Sequence, residues 1–258
     1  MPAMRFPLHI ALWPLVLGAL AQPVLAQDQQ SVSVFDLRDP VRALAFDPTA
    51  YFPSPSIRDR SIIRIVYTGD DYGWPVYAIA VAEGCVDGEA VGDQCASRLR
   101  ARMVRAPAPP GMERLRQRGL YLLNELGKRG ATSTPLIRAA LAELGTEWLE
   151  ADLRACPGAV AALGRASDAR WTPNAVTRFD HDPTVADYLE GLTLHADAVR
   201  VEFQQHFRRS TYIGDAGEGT PAGWAVDLAA VIEPCWRPAN TPPPWSAGSW
   251  APSPPIQF

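Results

Sequence analysis

Ser61–Cys85, SIIRIVYTGDDYGWPVYAIAVAEGC, decides how the chain folds. Side chains alternate along a strand, so Ile63, Ile65 and Tyr67 share one face of a first run. Tyr77, Ile79 and Val81 share one face of a second. Between them Thr68–Pro75 holds Gly, Asp and Pro, whose backbone preferences suit a turn. The stretch predicts a β-hairpin, and its last residue is the first cysteine of the chain.

Upstream, Tyr51–Ser56 carries two prolines and reads as an extended link. Asp39-Pro40 reads as a helix start, Asp as N-cap and Pro at the first position, with the helix reaching about Ala45. Downstream, Asp93 caps a helix from about Gln94 to Arg105, which APAPP at Ala106–Pro110 breaks. The next helix, Met112–Lys128, places Met112, Leu115, Leu122 and Leu126 on one side and Arg114 and Arg118 on the other; Gly130 stops it. Ile137, Leu141, Leu144, Trp148 and Ala151 keep helical spacing, which predicts one continuous helix from Ser133-Thr134-Pro135 to about Ala155. A short helix follows Pro157.

Asp182–Ile213 supports two readings. Val185, Leu189, Leu192, Ala196, Val199 and Phe203 keep helical spacing, whereas Val199–Gln204 alternates as a strand does. The second is preferred: a short helix over Pro183–Leu189, then strands at about Leu192–His195 and Ala198–Ile213, the latter interrupted near Gln205–His206. Thr220-Pro221 opens a last helix that turns Trp224, Leu228, Val231 and Ile232 inward until Pro234. From Pro238 the composition shifts to Pro, Ser and Trp with almost no charge, which predicts a disordered tail over residues 238–258.

Residues 1–26 read as a secretory signal peptide: Arg5, the apolar run Ile10–Leu20, and Val24-Leu25-Ala26 before Gln27. The run falls short of the ~20 residues of a membrane span. An uncleaved N-terminal anchor is the rival reading. The rest carries no membrane span, and 47% hydrophobic with 20% charged residues fits a globular core. Four cysteines in an exported chain predict two disulfides, with Cys85–Cys95 and Cys156–Cys235 the preferred pairing of three. The whole is an α+β fold over residues 27–237: an antiparallel sheet of about four strands, helices packed on one face, two disulfide braces.

No catalytic motif stands out: GxSxG, HExxH, a P-loop and GxGxxG are all missing. A net charge of −4 gives no field for nucleic acid. Lys128 is the single lysine, so the basic residues are arginines, which grip carboxylate and phosphate in bidentate fashion. Two candidate binding surfaces emerge. Asp70, Asp71, Tyr72 and Trp74 combine acids with rings in the hairpin turn, a pattern for sugar. Arg98, Arg102 and Arg105 share one side of the expected helix, a pattern for an envelope protein or an anionic surface component. Asp180-His181-Asp182 is the most suggestive polar cluster, two carboxylates beside an imidazole of the kind that holds a divalent metal or orients a general base; it is read instead as a helix N-cap at Asp182 beside a surface histidine. The sequence leads to an exported, periplasmic or secreted, non-catalytic binding or accessory module without metal or cofactor. The alternative is a carboxylate- or metal-dependent hydrolase built from Asp70, Asp71 and Asp180–Asp182.

Overall fold

A computed structural model describes residues 32–52, 61–69, 72–83, 98–111, 115, 117–168, 197–205 and 208–246. The chain divides into Met1–Gln30 and Ser31–Phe258, and all described residues belong to the second unit. The expected signal peptide, Asp70, Asp71, Cys85, Cys95 and the 180–195 elements lie outside the described residues.

The hairpin forms as its alternation demands. β1 (Ser61–Gly69) and β2 (Trp74–Glu83) pair antiparallel, with Ile65 opposite Ile79 and Tyr67 opposite Tyr77. It is the centre of a larger sheet. β3 (Leu99–Arg105), β4 (Glu147–Asp152) and the two-residue β7 (Arg237–Pro238) extend it on one side. β5 (Ala198–Gln205) and β6 (Arg208–Gly214) extend it on the other. The order is β6-β5-β1-β2-β3-β4-β7, every neighbour antiparallel, so the sheet has seven strands where about four were expected. The interruption expected near Gln205–His206 falls between β5 and β6, which pair antiparallel out to Gln205 opposite Arg208.

Helices cover both faces, not one. On the first face lie α4 (Ala159–Asp168) and α5 (Pro221–Ile232), over Ile63, Ile65, Ile79, Val81, Met103 and Val201. On the second lie α1 (Val34–Ala45), α2 (Gln117–Lys128) and α3 (Thr134–Glu143), over Ala78, Ala80, Ala82 and Val104. The small side of β2 makes this possible. Three alanines let α2 come close, and at Gly119 an added Cβ would lie 2.6 Å from the Pro75 carbonyl oxygen. β2 is consequently buried along all but its last residue, as a strand sandwiched between two helical layers must be.

Three expectations from the sequence change. The helix expected over 94–105 is strand β3 from Leu99: Ala101 and Met103 enter one core, Val104 the other. The long helix expected to Ala155 ends at Glu143. Gly145, at φ +75°, turns the chain into β4, where Trp148 and Ala151 point to opposite cores. Residues three apart share a helix face but lie on opposite sides of a strand. The first helix begins at Val34, upstream of the Asp39-Pro40 start that the sequence suggests. Ser33 is its N-cap, accepting from the Phe35 N–H, and Pro40 sits inside it.

One disulfide, Cys156–Cys235, is present among the described residues and ties the entry of α4 to the end of α5. The last helix forms as expected, with Thr220 as N-cap. The segment read as a tail from Pro238 instead packs back as far as Ser246. Trp148 Nε1 donates to the Thr241 carbonyl at 3.0 Å, and Trp245 is 4% exposed in the second core. Low charge and many prolines did not prevent this, because a buried indole needs no strand ladder. Among the described residues no helix is long and apolar enough to cross a membrane.

Candidate functional site

Among the described residues the second helical layer stops short of β5 and β6. A groove of about 590 Å³ opens at that step, between α1 with the Asp47–Thr49 turn and the sheet. Strand alternation furnishes its floor: Val66 and Thr68 from β1, Ala198, Arg200 and Glu202 from β5, Arg209 and Ile213 from β6. α1 furnishes the wall through Asp39, Arg42 and Ala43. A smaller recess of about 60 Å³ runs in beneath it to Arg64.

Glu202 is the centre of the floor and is 4% exposed. Arg64, directly opposite in the register, ion-pairs with its Oε1. Arg209 Nε lies 3.3 Å from the same oxygen, and Arg200 Nη2 lies 3.3 Å from Oε2. A buried carboxylate needs such partners, because desolvating it unpaired is costly. The arrangement leaves donors over. Each guanidinium carries five N–H groups, and one carboxylate offers about four lone-pair sites. The Arg200 and Arg209 side chains are 51% and 58% exposed, so the surplus faces the groove.

The groove's other carboxylates are engaged. Asp47 Oδ1 accepts from the Thr49 N–H at 2.9 Å and the Thr49 hydroxyl at 2.7 Å. Asp39 takes two hydrogen bonds from Arg38, at 2.8 and 3.2 Å, and these hold its carboxyl below the usual carboxylate range.

The hairpin turn lies at the other end of α1. Tyr72 is exposed, Trp74 is buried at 4%, and Phe35, which no local motif singles out, completes a three-ring cluster. Ring centroids lie 5.2–5.7 Å apart. Arg38 Nη1 donates to the Tyr72 carbonyl at 3.0 Å and fastens the turn to the helix.

The arginine surface expected at Arg98, Arg102 and Arg105 does not form. β3 begins at Leu99, just after Arg98, and within it Arg102 and Arg105 have opposite parity, so they lie on opposite sides of the sheet. Arg102 is 2% exposed. It donates to Glu150 and to the Tyr51 carbonyl, and its guanidinium stands 4.7 Å over the Phe52 ring. Arg105 binds Glu147 and Glu233. Burial lowers its pKa, but those two carboxylates outweigh burial and raise it. Both arginines brace the fold.

A second polar group lies on the first face. Tyr67 and Tyr77 stack with centroids 5.0 Å apart, and the Tyr67 hydroxyl donates to Asp197. Burial, then the neighbouring Tyr67, pushes the Tyr77 phenol far up. Both tyrosines were legible as core strand positions; their partner Asp197 was not.

Among the described residues no group of three or more His, Cys, Asp and Glu is placed to hold a metal ion. Comparison with known proteins finds no matching family model, no matching curated protein and no matching solved structure.

Proposed function

We propose that this chain is an exported, non-catalytic binding module, and that the groove between α1 and β5–β6 takes an anionic group of its partner or ligand. The surplus of guanidinium donors around buried Glu202 carries the reading: two half-exposed arginines are held in place by a carboxylate too small to satisfy them. Pre-positioned arginines bind carboxylate or phosphate well, because little side-chain entropy remains to be lost on binding. The Cys156–Cys235 bridge fits an oxidising compartment and supports export. The binding role expected of the β3 arginines moves to Arg200 and Arg209. The hydrolase alternative rests on Asp70, Asp71 and Asp180–Asp182, which lie outside the described residues.

The test is calorimetric titration of the purified protein with a panel of small carboxylates and phosphates at two salt concentrations. Binding that weakens with salt, and by about tenfold in Arg200→Gln or Arg209→Gln, supports the proposal. Affinity unchanged in both variants overturns it.

A further inference from the structure

We infer that the ligand of this groove is an acidic oligosaccharide, held by its carboxylates at the arginines and by a sugar ring on the Phe35–Tyr72 platform. The inference rests on the anion-binding reading above and adds the class of ligand.

Helix α1 joins the two places. Phe35, Asp39 and Arg42 follow one another at helical steps, so they lie along one face. At 1.5 Å rise per residue, Phe35 and Arg42 are about 10 Å apart along the axis, further than one pyranose reaches. The turn closes the gap from the side: a Cβ built on Gly73 would lie 3.4 Å from Arg42 Nη1. Rings, the Arg38–Asp39 pair and the groove therefore form one continuous strip.

The chemistry of the strip selects a sugar over a peptide. Phe35 and Tyr72 are 51% and 45% exposed and stand at 78° to each other, with buried Trp74 behind them. The negative π-face of an aromatic ring attracts the C–H face of a pyranose, which is apolar and weakly positive. Beside the rings and along the groove, carboxylates alternate with guanidiniums. The hydroxyls of a sugar donate to the remaining lone pairs of Asp39 and Asp47 and accept from the arginines, whereas the side chain of a glutamate peptide, being acceptor-only, can serve the arginines alone. Ring acids spaced along a glycan then meet Arg200 and Arg209.

The experiment is calorimetry of the purified protein with a short oligogalacturonate, its methyl-esterified form, monomeric galacturonate and a glutamate peptide. Phe35→Ala, Tyr72→Ala and Arg200→Gln are compared, each with its thermal melt. The expected result is oligomer binding that weakens about tenfold in each aromatic variant, with monomer affinity unchanged there. Arg200→Gln weakens both acids, and esterification weakens the oligomer. If the aromatic variants bind the oligomer as the parent does while Arg200→Gln does not, the sugar inference falls and the anion reading stands. A glutamate peptide that binds more tightly than the oligomer also overturns it. No binding by any acid overturns both.

Discussion

Arg64 on β1 and Glu202 on β5 face each other across the strand pair and form an ion pair that is nearly sealed from water. The two residues are 138 positions apart in the chain, and the pair joins the central hairpin to the half of the sheet that bears the groove. It is at once a brace for the sheet and the anchor for Arg200 and Arg209.

Removing the carboxylate strands buried positive charge. Glu202→Gln is expected to destabilise the fold by about 3 kcal/mol. In a double-mutant cycle with Arg64→Met, the coupling energy should lie at about 1–3 kcal/mol. Urea unfolding of the four proteins checks this, and a coupling near zero would show the pair to be incidental.

Close approach of α2 to β2 makes Gly119 intolerant of a methyl group. Gly119→Ala places a carbon 2.6 Å from the Pro75 oxygen, a backbone atom that cannot swing aside. A loss of about 2 kcal/mol is expected from overpacking. Gly164→Ala, where nothing lies within 4 Å, is the control and should be neutral or slightly stabilising. Thermal melts of the two variants compare them directly.

Alkaline pH should loosen the fold through its phenols. Burial holds Tyr51 and Tyr77 neutral and raises both above the ordinary value of 10.0. A raised folded pKa means stability that is fully present below the unfolded pKa and declines as pH climbs from there towards the folded pKa. Stability should thus fall from about pH 10 upwards. In Tyr77→Phe the fall should be shallower, measured by urea midpoints across that range; an identical slope would remove Tyr77 from the account.

Reduction should act on a long loop. The Cys156–Cys235 bridge spans 79 residues, and the chain-entropy model assigns such a closure at most about 4.5 kcal/mol. The paired variant Cys156→Ala/Cys235→Ala should lose several kcal/mol in denaturant melts, as should the parent protein with reductant. Equal midpoints with and without reductant would contradict this.

The central hairpin, the β5–β6 connection, the last helix and the Cys156–Cys235 pair were legible because their signals are local: alternation at Ile63, Ile65 and Tyr67, a cap at Thr220, cysteine count. β3 and β4 were not, because strands covered on both faces lose the polar–apolar alternation that marks a half-buried one. Arg102 disguised β3 further, since a buried guanidinium between Glu150 and two aromatic rings looks in sequence like a solvated helix face. The site was half visible. Tyr72 and Trp74 stood out, but Phe35 joins them only once α1 is placed beside the turn. The alternation Val199-Arg200-Val201-Glu202 marked a strand, yet nothing local shows that Arg64 and Arg209 converge on Glu202.

Trp245 shares a core with Leu37, Val41 and Leu122. Chain synthesis runs from the amino end, so α1 and its neighbours leave the ribosome long before the indole that completes their packing. The second core stays unsealed until roughly two hundred further residues have emerged after α1. The piece that closes this layer is thus the last of it to be made.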